Sequence, residues 1–344
     1  MLDCTAVPGI GLITNPRSRA NKRDPSKPRK LGYLIGSHGT AEATQSLDDL
    51  YRVCEEFKKE QIDILGISGG DGTLHHTLTS LIKTYGDAPL PLVAILRGGT
   101  MNTIANSLNI RGDTPQLLFE LVDKYRCGKL HTFDIFERPL LQIGDKFGFI
   151  FGTGIIYNFL QEYYATGNPS PLVAGQVLAQ TIASAMVGGE LAKRVYRRFE
   201  ARVVADGDTW ARQDFTAVAA SVVQEIGLGF KPFYRCGDRP GYFALLGIHT
   251  SALGFVADLP RVRMGKPMRR DKVIDAIAET ATFYADKIEY VIDGDAYEQE
   301  KELTLRTGPR LRFIRLTGTA TDEEALGSDM LVPEVTEDAK RGVK

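Results

Sequence analysis

A short run of small and acidic residues, Gly69-Gly70-Asp71-Gly72-Thr73, has the composition of a loop that holds phosphate groups. It follows the apolar run 62–68, which is typical of a strand buried on both faces of a parallel sheet. Glycines let the backbone turn tightly and bring its N–H groups close to a ligand. Thr73 is a suitable N-cap for a helix whose apolar face is formed by Leu74, Leu78, Leu81 and Ile82. Unpaired N–H groups and the helix dipole both favour an anion at such a helix start.

The alternative interpretation of this run is an ordinary tight turn that leads into a capped helix. Three glycines around one aspartate exceed what a turn requires, and we therefore favour the phosphate site. The run differs from a P-loop, which needs a lysine after its last glycine, and from the Rossmann fingerprint, which spaces its glycines differently.

A second glycine turn, Arg97-Gly98-Gly99-Thr100-Met101-Asn102-Thr103, follows a second apolar run at 91–96 and opens a helix through Ile104 and Leu108. A plausible first strand, Val7 to Thr14, likewise ends in Asn15-Pro16-Arg17-Ser18. Ligands of open parallel sheets bind beyond the carboxyl ends of the strands. We therefore expect these turns to converge on one nucleotide cleft.

The histidines and cysteines do not form a recognisable site in the sequence. His75 and His76 are neighbours on a helix, so we expect their side chains to diverge and not to share an ion. No Ser-His-Asp set can be selected by spacing. The cysteines lie far apart without zinc-type spacing, which is typical of free thiols in a reducing cytoplasm: Cys4, Cys54, Cys127 and Cys236.

Length and composition indicate two folded domains. The chain has 344 residues, of which 43% are hydrophobic, and a net charge of −1. This charge gives no global attraction to nucleic acid, and we expect no nucleic-acid partner. Met1 to Ile10 lacks a secretory signal, and no stretch is convincing as a membrane span. We expect a cytoplasmic protein, peripheral at most to the inner membrane surface.

The secondary-structure pattern changes near Gly128. Residues 1–128 alternate strands and helices, which predicts a doubly wound, parallel-sheet α/β domain. Residues 129–318 show short alternating strands between glycine-rich turns, which is typical of a β-rich domain. The acid-rich segment 319–344 is predicted to be a partly mobile tail.

Two segments of the second half have more than one interpretation. The basic run Arg261 to Lys272 is either an exposed loop and helix start or a contact with an anionic membrane surface. Asp293-Gly294-Asp295 follows an alternating strand, and on local evidence it is an ordinary hairpin turn.

Taken in order, four motifs resemble the catalytic family of diacylglycerol kinases and sphingosine kinases. They are Asn15-Pro16-x-Ser18, Gly69-Gly70-Asp71-Gly72-Thr73, Gly99-Thr100-x-Asn102 and Asp293-Gly294 followed by an acid. The resemblance extends from about residue 8 to 316. The Gly-Gly-Asp-Gly-Thr motif alone is shared with NAD kinases, whereas the four motifs in order are much more specific.

The resemblance implies an N-terminal nucleotide-binding domain, a C-terminal β-sandwich-like lipid-substrate domain and an active site between them. It implies ATP as the donor, Mg²⁺ as the cofactor and a lipid hydroxyl as the acceptor. The residues that it assigns to ATP are Asn15, Thr44, Gly69, Gly70, Asp71, Gly72, Thr73, Leu74, His75, Gly99, Thr100 and Asn102. Asp295 stands where the family places its catalytic acid. Asp71, the acid nearest the phosphates, would either orient Mg²⁺ through water or brace the loop.

The sequence departs from the family pattern at four positions. The family's aspartate beside Asn102 is Thr103 here, and its usual proline before the second glycine turn is Arg97. The acid that helps to hold Mg²⁺ is replaced by Pro240, with Asp238 two residues away as the candidate metal ligand. Asp295 is one methylene shorter than the usual glutamate.

Three functions follow as hypotheses. The first is an ATP-dependent kinase that phosphorylates a hydroxyl of a diacylglycerol, a sphingoid base or a ceramide. The second is a kinase of a soluble substrate, of the NAD kinase type. The third is a lipid or nucleotide sensor without turnover, which the departures at Pro240 and Asp295 suggest.

Overall fold

The computed structural model describes residues 9–167 and 170–318. The acidic tail predicted for 319–344 lies outside the described residues.

The N-terminal part is an α/β unit. Its strands are β1 (Ile10–Thr14), β2 (Gly39–Ala43), β3 (Ile64–Ser68) and β4 (Leu92–Ile95). Its helices are α1 (Arg19–Arg23), α2 (Lys27–Ile35), α3 (Leu47–Glu60), α4 (Asp71–Tyr85), α5 (Thr103–Ser107) and α6 (Thr114–Arg126). The four strands are parallel in the order β2-β1-β3-β4.

Every residue of β1 and β3 is buried, as the continuous apolar runs predict for inner parallel strands. The strands are aligned so that Thr14 lies opposite Ala43 on one side and Ser68 on the other. The loops that follow these strands therefore leave the sheet at the same edge. This alignment places the predicted site residues together.

Helix starts follow the sequence rules in two cases and differ in a third. The Ser46 hydroxyl accepts a hydrogen bond from the Asp49 amide at 3.1 Å at the start of α3, and Asp113 forms a capping box at α6. Thr73 was expected to cap α4, but this is wrong. The helix begins at Asp71, with Gly70 at the N-cap, so the glycine run is itself the first turn of the helix.

The remaining strands make the second part of the chain strand-rich, which confirms the predicted fold class. They are β5 (Asp134–Ile143), β6 (Lys146–Gly148), β7 (Ile150–Thr153), β8 (Phe199–Glu200), β9 (Arg202–Ala205), β10 (Asp208–Thr209), β11 (Asp214–Phe215), β12 (Ala217–Ser221), β13 (Phe243–Ile248), β14 (Val273–Ala278), β15 (Thr280–Ile292) and β16 (Asp295–Arg315).

Strand β16 joins the two parts of the fold. Its last residues pair with β4, where Phe313 lies opposite Val93, so the parallel sheet continues into the strand-rich part. Its first residue is Asp295, which follows the turn after β15. A single strand thus connects the candidate catalytic acid to the sheet that carries the glycine loops.

Four helices lie among the C-terminal strands: α7 (Ile155–Ala165), α8 (Pro171–Val187), α9 (Glu190–Val195) and α10 (Ala252–Arg263). They share an apolar cluster that includes Ile155, Ala185, Val195 and Val262. Among the described residues no helix is both long and apolar enough to cross a bilayer.

Candidate active site

The two glycine turns meet backbone to backbone, as predicted. A Cβ atom added to Gly99 would lie only 2.2 Å from the Cα of Gly70, and one added to Gly98 would lie 2.8 Å from the nitrogen of Gly69. Gly69 itself faces Thr73, whose Cβ would be 2.4 Å from an added methyl. The glycines are required here because two main chains approach each other closely. Gly70 has φ −92°, so a left-handed backbone is not the reason for the glycine.

Asp71 connects the two turns. Its Oδ2 accepts a hydrogen bond from the Thr103 amide and its Oδ1 accepts one from the Ile104 amide, both at 3.0 Å. These two N–H groups lie in the first turn of α5, where an N–H group has no partner within its own helix. Burial raises the pKa of the Asp71 carboxyl, while the two N–H groups act in the opposite direction. Asp71 therefore braces the loops, with both carboxylate oxygens engaged.

Asn15 and Asn102 hold the rims of the same cleft. The Asn15 amide donates to the Thr73 hydroxyl at 2.8 Å, which ties the loop after β1 to α4. The Asn102 side chain accepts a hydrogen bond from the Gly99 amide at 2.9 Å and closes the second turn. Thr100 is half-buried within that turn. Thr44 follows β2 and is mostly buried, with its amide donating to the Thr14 carbonyl at 3.0 Å.

Asp295 comes from the other part of the chain and lies against the phosphate loop. A Cβ added to Gly72 would be 2.6 Å from Asp295 Oδ2, so Gly72 leaves the space that this carboxylate fills. The Nε2 atom of His76, one turn along α4, lies 3.2 Å from the same oxygen. The structure thus brings the predicted catalytic acid to the N-terminal turn of α4.

The turn that presents Asp295 is held from two sides. Asp293 is buried and accepts hydrogen bonds from the amides of Phe149 and Ile150, and burial raises its pKa well above the ordinary value. The Tyr164 hydroxyl, at the end of α7, donates to the Gly294 carbonyl at 3.1 Å. Asp293 has φ 48°, a backbone conformation that aspartate tolerates better than most residues. This turn is therefore more constrained than an ordinary hairpin turn.

The side chains of Leu74 and His75 do not face the cleft. Leu74 is in the core, and His75 is 1% exposed. The Phe147 carbonyl can only accept, so His75 Nδ1 carries the proton and donates to it at 2.7 Å. Nε2 then accepts from the Tyr297 hydroxyl at 2.8 Å. Of these two residues, only the backbone is available to a nucleotide, and His75 connects α4 to the C-terminal strands.

The expectation that His75 and His76 diverge is wrong. Their ring centroids are 4.7 Å apart, and one ligand atom from each of them and from Asp295 lie within 4.8 Å of one another. Both ring nitrogens of His75 are nevertheless hydrogen-bonded to protein groups. Of these three residues, only His76 and Asp295 keep an atom free to coordinate an ion. Two ligands are too few for a metal site built by the protein.

The neutral state of His75 predicts a specific loss of stability in acid. Burial lowers the pKa of His75 from 6.5 to about 4. Between pH 6.5 and 4, therefore, His75 binds a proton in the unfolded chain but not in the folded protein. Stability should therefore fall as the pH falls from 6.5 towards 4, by up to about 3 kcal/mol for this group. We expect His75→Gln, which does not titrate, to lose this part of the pH dependence. Urea unfolding of both proteins at pH 7 and 4.5 measures the change in the free energy of unfolding. An equal change in the parent and in His75→Gln would contradict the prediction.

Asp238, the candidate metal ligand, forms a local ion pair. Its carboxylate pairs with Arg235 Nε at 3.2 Å in the loop before β13, and its side chain is half exposed. Among the described residues it forms no hydrogen bond or ion pair with Asp71 or Asp295. With both Asp71 oxygens engaged, the described residues do not form a protein-built Mg²⁺ site.

The sequence did not predict the contacts of three residues at this site: His76, Tyr164 and Tyr297. His76 was considered only as a metal ligand, because nothing in one sequence shows that a residue more than 200 positions away will face it. The two tyrosines lie outside the four motifs, so no local pattern distinguishes them. Their positions depend on how α7 and β16 pack against α4.

The two glycine turns and an acid from the strand-rich part of the chain thus meet at the carboxyl edge of a parallel sheet. Residues 10–137 match the family model of the diacylglycerol kinase catalytic domain, which confirms the resemblance stated above. This match covers the N-terminal part of the chain and the first residues of β5.

Curated relatives agree over the same region. A Staphylococcus aureus (strain bovine RF122 / ET3-1) protein named putative lipid kinase SAB0675c is 28% identical over 127 residues, which is 36% of this chain and 38% of the relative. A protein of strain JH9 with a corresponding name, SaurJH9_0749, is similar to the same extent.

Solved structures resemble nearly the whole chain. A putative diacylglycerol kinase from Bacillus anthracis str. Sterne has a TM-score of 0.65 at 15% identity, over 89% of this chain and 96% of that one. A second structure from that organism, described as a diacylglycerol kinase, has a TM-score of 0.60 at 14% identity, with the same shares covered. At these identities the likeness shows the fold.

Proposed function

We propose that this protein is an ATP-dependent lipid kinase that transfers the γ-phosphate of ATP to a hydroxyl group of a lipid. The observation that carries the proposal is the position of Asp295. Its carboxylate lies against Gly72, in the first turn of the helix whose N–H groups face the cleft. A base beside an anion-binding helix start is the arrangement that phosphoryl transfer to an alcohol needs.

The nucleotide half of the site rests on the two glycine turns. We propose that residues 1–128 bind ATP and that residues 129–318 hold the lipid substrate. The first amides of α4 and the turn around Gly99 would donate to phosphate oxygens, with Asp71 and Asn15 holding these loops. Mg²⁺ would enter with the nucleotide, where phosphate oxygens and water supply its ligands and the ion neutralises phosphate charge.

Asp295 would act on the acceptor. In the proposed reaction its carboxylate takes the proton of the lipid hydroxyl as the oxygen bonds to the γ-phosphorus. The bond from this phosphorus to the bridging oxygen breaks, and ADP leaves. Phosphoryl transfer depends mainly on positioning. The hydrogen bonds from Phe149 and Ile150 to Asp293, and from Tyr164 to Gly294, would therefore matter because they fix the turn that carries Asp295.

Exposed apolar side chains support a lipid acceptor. Helix α7 contacts the catalytic turn through Tyr164, and α8 follows with Leu172 exposed near its start. At the other end of α8, Met186 and Val187 are 70% and 81% exposed, and Leu253 of α10 is also exposed. Several exposed large apolar residues on one group of helices suit a protein that works at a lipid surface.

We also propose that the basic run Arg261 to Lys272 contacts anionic lipid. Arg261 and Lys266 are exposed beside the exposed Met264. Arg269 has a second task, because its Nε donates at 2.8 Å to Asp258, which is fully buried. Replacing Arg269 would leave that acid unpaired, so it is a poor probe of membrane binding.

Arg261→Gln combined with Lys266→Gln should weaken binding to anionic vesicles roughly 30-fold, since each basic residue near such a surface contributes about 1 kcal/mol. The loss should shrink as salt is raised. Co-sedimentation with phosphatidylserine vesicles measures it. A matched pair in exposed positions elsewhere, Lys59→Gln with Arg306→Gln, should bind like the parent. If both double variants bind the anionic vesicles equally at low salt, the basic run does not contact lipid and is an ordinary solvated surface.

The function is tested by a screen of acceptors with γ-labelled ATP. Diacylglycerol, sphingoid bases and ceramide in mixed micelles are compared with NAD. We expect label in a lipid. Label in NAD would favour a soluble-substrate kinase, and ATP binding without transfer to any acceptor would favour a sensor.

A further inference from the structure

Among the described residues of the N-terminal part, His76 is the one titratable side chain that forms an ion pair with Asp295. It lies on α4, one turn after the glycine loop, whereas Asp295 begins β16. The four motifs that define the family resemblance do not include it. Its position therefore requires a separate explanation.

The geometry of the pair is asymmetric. His76 Nε2 lies 3.2 Å from Asp295 Oδ2, and the side chains are 35% and 37% exposed. Oδ2 itself is buried and accepts no hydrogen bond among the described residues, so the His76 contact is an ion-pair distance and the exposed part of Asp295 lies elsewhere on its side chain. One carboxylate oxygen thus faces the imidazole and the Gly72 backbone, and the rest of the group is open to the cleft.

We propose that His76 is a positioning residue for Asp295, and that its Nε2–H fixes Oδ2 so that Oδ1 receives the proton of the acceptor hydroxyl. The proposal rests on the proposed kinase function. A buried carboxylate oxygen with no donor is costly, and the His76 Nε2 atom, at 3.2 Å, is close enough to supply one after a small rotation of the imidazole ring. The same contact fixes the rotation of the carboxylate, which otherwise has no side-chain restraint in the structure.

The pair would also make turnover depend on pH. A protonated His76 stabilises the Asp295 carboxylate and makes it a weaker base, so the rate should fall as His76 gains its proton. The titratable or charged groups around the pair come from α4, α7, β6 and the turn into β16: Asp71, His75, Lys146, Tyr164, Asp293 and Tyr297. Burial raises the pKa of the Asp71 carboxyl and, further, that of Asp293, so a variant at His76 itself is needed to assign any pH dependence to the imidazole. Burial lowers the pKa of His75 to about 4 and raises that of Tyr164 to about 12.

Two replacements separate the roles of the ring. His76→Phe keeps a ring but removes the N–H donor, and His76→Gln keeps an N–H donor that cannot become charged. We expect His76→Phe to lower kcat roughly 10–100-fold with the KM for ATP within about threefold, because the donor is lost and the nucleotide loops are intact. His76→Gln should retain most of the rate at pH 8. Because glutamine cannot gain a charge, His76→Gln should lack any decline in kcat towards acid that depends on protonation of the imidazole.

The matched control is His131→Gln, an exposed histidine far along the chain, which should keep both the rate and the pH profile. Parental kcat in His76→Phe would overturn the proposal. So would a pH decline that persists unchanged in His76→Gln.

A second measurement does not depend on turnover. NMR titration of the His76 ring, assigned with His76→Gln, should show a lower midpoint in Asp295→Asn than in the parent, because the neighbouring negative charge is gone. An unchanged midpoint would overturn the contact itself. If the midpoint moves but no lipid is phosphorylated by the parent, the kinase function fails and the catalytic role of His76 fails with it, while the structural pair stands.

Discussion

Replacing Asp295 by asparagine should lower the turnover of lipid by roughly 10²–10⁴-fold, the range expected when a general base is lost. The substitution removes the charge and keeps the size, so the fit against Gly72 is preserved. Affinity for ATP should remain within a few-fold, because the glycine turns are held by Asp71 and Asn102 and not by Asp295. Initial rates with labelled ATP and calorimetric binding of ATP measure the two effects separately.

Two further variants complete the test of Asp295. Asp295→Glu keeps the charge but adds a methylene where the carboxylate already contacts the Gly72 backbone, so we expect a rate between those of the parent and Asp295→Asn. Asp286→Asn removes an exposed acid of β15 and should leave both rate and affinity unchanged. Parental turnover by Asp295→Asn would show that this carboxylate is not the base.

The convergence of the glycine turns was predictable because it follows from parallel pairing. Two buried strands that run in the same direction must end at the same edge, and the register of Thr14 with Ser68 and of Ile67 with Ile95 shows this directly. The role of Asp71 was left open between two possibilities. Its bracing role depends on the backbone of Thr103 and Ile104, whose direction is set by the left-handed Asn102 before them.

Residues that meet across the two parts of the chain were not predictable from one sequence. Spacing along α4 indicates that His75 and His76 point in different directions, but it does not say what each will find there. Tyr297 and Phe147 form hydrogen bonds with the His75 ring, and the His76 ring lies beside Asp295. The two rings therefore lie close together. The role of Asp238 as a metal ligand stays a prediction, and the structure adds only that Arg235, three residues away, pairs with it locally.

The C-terminal helices illustrate a different limit. The apolar, small-residue-rich sequence that begins at Pro171 forms α8, which spans Pro171–Val187. Its neighbours α7 and α10 carry a mixed pattern, because each buries one face in the shared cluster and leaves Tyr164 or Leu253 exposed. Which apolar residues stay at the surface depends on that packing, and so the lipid-facing candidates could be named only from the structure.

Gly70→Val should reduce affinity for ATP roughly 10–100-fold while the protein stays folded. The backbone at Gly70 is extended, with φ −92° and ψ −172°, so valine can adopt it without strain. The effect is therefore steric. An added Cβ would lie 3.2 Å from the Cα of Gly99, and the two valine methyl groups reach further into the space between the turns. The expected 10–100-fold loss corresponds to about 1.4–2.8 kcal/mol of binding free energy, since each 1.4 kcal/mol is tenfold in affinity.

The expected loss of ATP affinity should increase with the size of the side chain at residue 70, and a variant elsewhere provides a matched control. Gly70→Ala adds only the Cβ and should weaken ATP less than Gly70→Val. Gly175→Val places the same side chain inside α8, where an added Cβ meets nothing within 4 Å, and should bind ATP like the parent. Calorimetric titration with ATP gives the affinities, and a cooperative melting transition in each variant shows that the fold persists. Unchanged ATP affinity in a folded Gly70→Val protein would mean that the nucleotide does not bind against the glycine turns at Gly70, because that substitution adds bulk there and leaves the rest of the sheet edge as it is.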